Sequence, residues 1–156
     1  MRPQAGIVAL LNDVLTNELT SVNQYFLHAR MLRNWGVTKL GDYEYHQSID
    51  EMKDADHLID RLLYFDGHPN LQRLDTIRTG EDPAEKLALA LTLEQEAIAR
   101  LNDGIALCVD RGDNGTRDLL AEILEGEEEH ADWLESQLSL IEQLGQAHYL
   151  AQQIRD

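Results

Sequence analysis

Basic residues are scarce in this 156-residue chain: 13 lysines and arginines stand against 29 aspartates and glutamates, for a net charge of −16. That balance disfavours nucleic acid as a partner and draws cations such as ferrous iron, though acidity also serves plain solubility. A single cysteine, Cys108, excludes an internal disulfide and fits a reducing cytoplasm. Three prolines and ten glycines are few beside 43% hydrophobic residues, which predicts a mostly helical globular protein. No apolar run approaches the ~18–20 residues that cross a bilayer, so no membrane span is expected. Met1-Arg2-Pro3-Gln4 leads into an amphipathic segment rather than the apolar stretch of a signal peptide. The length is that of one domain, 1–156, with enough residues for a real core.

What is present is helical periodicity. A first segment, about 4–35, carries Ile7, Leu11, Val14, Glu18, Val22, Tyr25, Ala29 and Leu32 at three- and four-residue steps, and Trp35-Gly36 ends it. A second, about 39–66, carries Tyr45, Ser48, Glu51, Ala55, Leu58, Leu62 and Phe65 before Gly67-His68-Pro69-Asn70. Residues 67–82 lack periodicity and are too many for a turn between antiparallel neighbours, so they predict a crossover along a bundle. A third helix starts at Asp82-Pro83 with Glu85 following, and its stripe runs Leu87, Leu91, Glu94, Ile98, Leu101, Ile105, Cys108. Asp113-Asn114-Gly115 is expected to break it. A fourth, about 116–144, carries Leu120, Ile123, Glu127, Ala131, Leu134, Leu138 and Ile141, with Gly145 as its stop. A tail, about 146–153, is too short to be stable alone and should dock on its own bundle or another subunit. The expected fold is all-α: a four-helix bundle over about 4–144 with a long crossover between helices 2 and 3, and a short fifth helix.

Each stripe is apolar except at one glutamate: Glu18, Glu51, Glu94 or Glu127. The interval from Glu18 to Glu51 equals that from Glu94 to Glu127. A second candidate ligand follows three residues after two of them: Asp54 after Glu51 and His130 after Glu127, each beside its partner on the helix face. Buried carboxylates are costly unless paired or bound to metal, and no stripe offers a matching lysine or arginine. Four carboxylates and a histidine facing one core fit the plan of di-iron bundles. Carboxylate oxygens can bridge two cations, and imidazole suits iron.

The residues that surround these ligands resemble the bacterioferritin family over essentially the whole length. The matching runs include Asn23-Gln24-Tyr25-Phe26-Leu27-His28-Ala29-Arg30, Ser48-Ile49-Asp50-Glu51-Met52-Lys53, Gly67-His68-Pro69-Asn70-Leu71-Gln72, and Glu127-Glu128-Glu129-His130 with Trp133-Leu134-Glu135. The resemblance implies a ferritin-like bundle and a hollow shell of 24 subunits that oxidises ferrous iron and stores the ferric mineral. It maps the di-iron ligands onto Glu18, Glu51, Glu94, Glu127 and His130. It also implies haem b between subunit pairs, with Met52 as axial ligand near Leu19, Asn23, Phe26 and Tyr45, and a small ferredoxin as electron donor. It turns His46 and Asp50 toward the storage cavity as sites for inner-surface iron.

The departure is Asp54, where the family has histidine. Aspartate is shorter and anionic. Either it ligates iron directly or through water, giving an altered ferroxidase, or one metal position is weak. In the second case the chain would be a haem-bearing structural subunit, co-assembling with a catalytic bacterioferritin subunit. A small DNA-protecting ferritin fits less well, because Met52 and the tail are present. His57 is six residues past Glu51 and turned well away from it; with His46, Asp50 and Asp54 it forms either an iron-transfer stripe or a solvated face. Tyr25 and Trp133 are placed to carry electrons, or to pack. Met31 reads as packing, and no spacing supports His28 or His68 as ligands.

Overall fold

The computed structural model describes residues 1–154. Its elements, all helices among those residues, are α1 (Ile7–Asn34), α2 (Thr38–Tyr64), α3 (Pro83–Arg111), α4 (Asn114–Leu144) and α5 (Gln146–Ala151). α1 packs along α2 and α3 along α4, and the two pairs meet where α1 faces α3 and α2 faces α4. This is the expected bundle with its short fifth helix. No helix among the described residues is long and apolar enough to cross a membrane.

The turns follow local chemistry. Gly36 takes φ 85° after α1, a left-handed conformation that glycine adopts without a Cβ penalty. Asp82 caps α3 by accepting from the Glu85 amide at 2.9 Å, with Pro83 in the first turn. One expectation needs correction: Asn114 and Gly115 do not break the chain but begin α4. Gly112, at φ 70°, ends α3, and Asp113 caps α4 through the Thr116 amide at 3.0 Å. Arg61 on α2 bonds Asp113 at 3.1 Å and Thr116 at 3.0 Å, tying α2 to the start of α4. The remaining helix ends fall within three residues of expectation, where helices fray.

Residues 65–82 form the crossover, and a polar stripe on α1 holds it. Asn12, Thr16, Thr20, Gln24 and His28 recur at every fourth residue, one per turn. Asn12 accepts from the Asn70 amide at 2.8 Å and donates to the His68 carbonyl at 3.1 Å. Thr16 accepts from Arg73 Nε at 2.8 Å, Thr20 from the Asp75 amide at 2.9 Å, and Gln24 from the Arg78 amide at 3.1 Å. His28 Nε2 meets the Arg78 carbonyl at 2.9 Å. Backbone groups laid against a helix cannot stay unpaired, and these side chains pair them. Beyond the stripe, the buried Lys86 amine donates to the Thr79 carbonyl at 2.6 Å and the Gly80 carbonyl at 3.1 Å. His28 is thus a neutral anchor: burial pushes its pKa down to about 4, against the pull of the Arg78 carbonyl.

Two apolar clusters fill the bundle. One gathers Leu11, Leu15, Leu58, Leu62, Leu101 and Leu120; the other gathers Tyr25, Leu32, Leu40, Leu87, Leu134 and Tyr149. On every helix the interrupting glutamate falls between the positions that feed the two clusters. Tyr149 brings α5 into the second cluster and donates to Gln137 at 2.7 Å, so the tail docks on its own bundle. On α2 the stripe differs from expectation: Glu44, not Tyr45, is buried.

Candidate metal centre

The four glutamates and His130 are each no more than 3% exposed. They fall into two groups whose facing ligand atoms lie within 4.8 Å of one another: Glu51, Glu94 and His130, and Glu18, Glu51, Asp54 and Glu127. Glu51 belongs to both. The helices impose this arrangement, since α1 and α3 each send in one glutamate while α2 and α4 each send in two groups one turn apart.

Hydrogen bonding leaves the cluster incomplete. Both Glu18 oxygens, Oε2 of Glu51, Glu94 and Glu127, and His130 Nε2 are buried without a partner. Among the described residues no lysine or arginine pairs with any of them. Native interiors rarely tolerate so many orphaned acceptors in one place. Two divalent cations would satisfy them, and oxygen-rich sets with one imidazole suit iron. The residues present therefore fit a two-metal centre.

Without metal, the cluster keeps protons. Burial, then the neighbouring carboxylates, pushes Glu18, Glu51 and Glu127 well above the usual carboxylate range. Glu94 goes the other way: burial raises it, but hydrogen bonds with Glu127, His130 and Tyr25 outweigh burial and lower it. His130 Nδ1 lies 3.0 Å from Glu94 Oε1, and the Tyr25 hydroxyl donates to the same oxygen. Burial, then the charges of Glu94 and its neighbours, holds the Tyr25 phenol well above its ordinary value. Tyr25 therefore touches the centre directly, with its ring edge-on to His130 at 5.1 Å.

Asp54 is half-buried at the rim of the second group. Burial and the Asp50 charge raise its pKa to about 7, partly countered by His57. It lines a cleft of about 620 Å³ between α2 and α4, together with Asp50, Glu51, His57, Glu127 and His130. The cleft joins the centre to the surface. His57 thus stands on the cleft wall, outside both ligand groups. His46 is exposed, bonds the Asp42 carbonyl at 2.8 Å, and does not line the cleft. Of the four-residue stripe, Asp50, Asp54 and His57 line the cleft, and His46 lies one turn before Asp50 on α2, outside it.

Two residues near the centre escaped the sequence reading. Tyr43 lies flat on Trp133, centroids 3.5 Å apart, and both rings neighbour His130 at 5.8 and 6.3 Å. Glu44 is buried with neither oxygen partnered, and burial, eased by His130, raises its pKa to about 7. A signal for Glu44 existed, because it precedes Glu51 by two helical turns on one stripe. For Tyr43 no periodicity gave one.

Met52 is 50% exposed, away from the centre, on a strip with Tyr45 and Ile49. Phe26 on α1 lies beside it, its ring 6.5 Å from that of Tyr45. An exposed apolar strip of this kind on a strongly acidic chain marks an interaction surface. Met31 accepts from Lys86 at 3.2 Å, a packing role, and His68 contributes its backbone carbonyl to Asn12.

The profile of the ferritin-like domain matches residues 8–144. Similar proteins named bacterioferritin include one from Mycobacterium leprae, 43% identical over 97% of this chain and 96% of the relative. Another, from Brucella melitensis, is 40% identical over 96% and 92%. A third, from Rhodobacter capsulatus, is 38% identical over 93% and 90%.

Proposed function

The chain belongs to the bacterioferritin family, and on that footing we propose that it stores iron, oxidising ferrous ions at its own two-metal centre. The observation that carries this reading is the set of buried, unpartnered carboxylate oxygens of Glu18, Glu51, Glu94 and Glu127 around one point. Ferrous iron is the substrate. Glu18, Asp54 and Glu127 hold one ion, Glu94 and His130 the other, and Glu51 lies between them. Each ion gives one electron to dioxygen or peroxide. Entering cations displace the protons that Glu18, Glu51 and Glu127 keep in their absence. Tyr25 steadies Glu94 through its hydroxyl. The cleft wall, with Asp50 and His57, offers carboxylate and imidazole along the path out of the centre, and His46 and Asp50 serve as iron sites on the inner surface of the shell.

Asp54 stands close enough to share a cation with Glu18, Glu51 and Glu127, which favours an active centre over a purely structural subunit. Met52 would hold haem b between two copies, and its thioether would favour the ferrous state, so that the haem would supply electrons to the mineral. The assembly is a shell of 24 subunits, alone or with a second bacterioferritin subunit, in the cytoplasm, reduced by a small ferredoxin.

The test is direct. Ferrous iron added in air to the homomeric protein should give rapid ferric absorbance, and Glu18→Ala or Glu94→Ala should slow it by on the order of 100-fold or more. Oxidation no faster in the native protein than in Glu94→Ala would establish the structural-subunit reading instead. Met52→Leu should abolish the Soret band of the haem-loaded shell.

A further inference from the structure

We propose that the two cation positions differ in metal preference, and that the position held by Glu18, Glu51, Asp54 and Glu127 discriminates far less against manganese(II) than the position held by Glu51, Glu94 and His130. This inference rests on the two-metal reading above.

The donor sets are unlike. One group offers a carboxylate oxygen from each of four residues and no nitrogen; the other offers two carboxylates and an imidazole. The all-oxygen set is no mere acidic patch. Glu18 is 0% exposed with both oxygens unpartnered, and Oε2 of Glu51 and Glu127 share that condition. One ligand atom from each of Glu18, Glu51, Asp54 and Glu127 lies within 4.8 Å of the others.

Ligand type sets metal choice more than raw affinity does. Imidazole strengthens binding to zinc, cobalt and iron, while oxygen-only sets suit hard ions such as manganese and magnesium. Charge works the same way. Glu51 is common to both positions, but Glu18, Asp54 and Glu127 bring three further carboxylates to the first, whereas Glu94 and a neutral imidazole join it at the second. The first position therefore gains affinity for hard cations without gaining the nitrogen that separates zinc from manganese. Asp54 alone removes the nitrogen from the first position, since a histidine there would give each position one imidazole.

Manganese(II) bound to the metal-free shell loses the sharp electron paramagnetic resonance signal of the free ion, so competition with zinc(II) can be read without iron or oxygen. The native protein should bind two manganese ions per subunit and release them in two phases as zinc is added. The second phase should need on the order of tenfold more zinc than the first. Asp54→His should move that second phase down by about tenfold, merging it with the first. Asp54→Asn, which keeps an oxygen but loses the charge, should weaken manganese binding while leaving the two phases apart. A single phase in the native protein, or an Asp54→His second phase within about twofold of native, overturns the proposal. A Glu51→Ala protein that still binds both ions with native affinity would overturn the two-metal reading itself, because Glu51 is common to both positions.

Discussion

Tyr43 lies flat on Trp133, with ring centroids 3.5 Å apart and planes inclined by 14°. The pair joins α2 to α4 at the cleft, beside His130. Stacked aromatic pairs add about 0.5–1.5 kcal/mol beyond the area they bury. Tyr43→Leu and Trp133→Leu should therefore couple by that amount in a double-mutant cycle of urea unfolding. Because Trp133 lies so near the centre, cobalt(II) should also quench its fluorescence. In a Trp35→Phe background that quenching should disappear with Glu94→Ala.

The crossover depends on α1 side chains that accept its amides. Thr20 accepts from the Asp75 amide at 2.9 Å and donates to the Thr16 carbonyl at 2.7 Å. Thr20→Val keeps the shape and removes both bonds, so it should cost about 1–3 kcal/mol, the penalty of an orphaned polar group. Thr20→Ser should recover most of that loss. Equal stability of the valine and serine variants in denaturant titrations would contradict this account.

Two helical glycines should respond oppositely to alanine. A Cβ on Gly126 meets nothing within 4 Å, so Gly126→Ala should gain about 0.5–1 kcal/mol from helix propensity. A Cβ on Gly104 would come to 2.8 Å from a Leu10 methyl and 3.1 Å from a Leu120 methyl. Leu10 can swing aside, but Leu120 is buried in the core. Overpacking of about 1–3 kcal/mol there should exceed the propensity gain. Thermal unfolding of the two variants checks the signs.

Metal-free protein should lose stability as pH rises. Glu18, Glu51 and Glu127 titrate well above the ordinary 4.5, and Asp54 and Glu44 at about 7, because burial disfavours their charged forms. From about pH 4.5 upward the folded chain keeps protons that the unfolded chain has released, so the slope of stability against pH is negative. His28 opposes this. Its pKa is depressed from 6.5 to about 4, so its contribution is present above 6.5 and is lost as pH falls toward 4. Five carboxyl groups outweigh one imidazole. Unfolding midpoints measured with a chelator from pH 5 to 8 should fall, and Glu44→Gln or Glu18→Gln should flatten the trend. Bound cations should reverse its sign, because their ligands must be deprotonated.

Much of this was legible in the sequence. Helical periodicity gave four long helices because each must bury one face, and the glutamates stood out because they interrupt that face. Equal spacing put them at one level. The tail's docking partner and the place of Tyr43 against Trp133 were not legible, because each depends on how one helix is set against another. The four-residue repeat from Asn12 to His28 was present in the chain, yet its meaning needed the crossover laid beside it.

By itself the sequence determined the fold class and singled out the candidate ligands, Asp54 among them. These are properties of residue type and spacing, fixed by the geometry of a single helix. Only the tertiary structure decided which candidate ligands lie together: Asp54 with Glu18 and Glu127, and His130 with Glu94, Glu51 being common to both groups. It also decided that His57 stays on the cleft wall and that Tyr43 covers Trp133. Those outcomes depend on how far one helix is turned and shifted against another, and packing sets that rather than any helix alone.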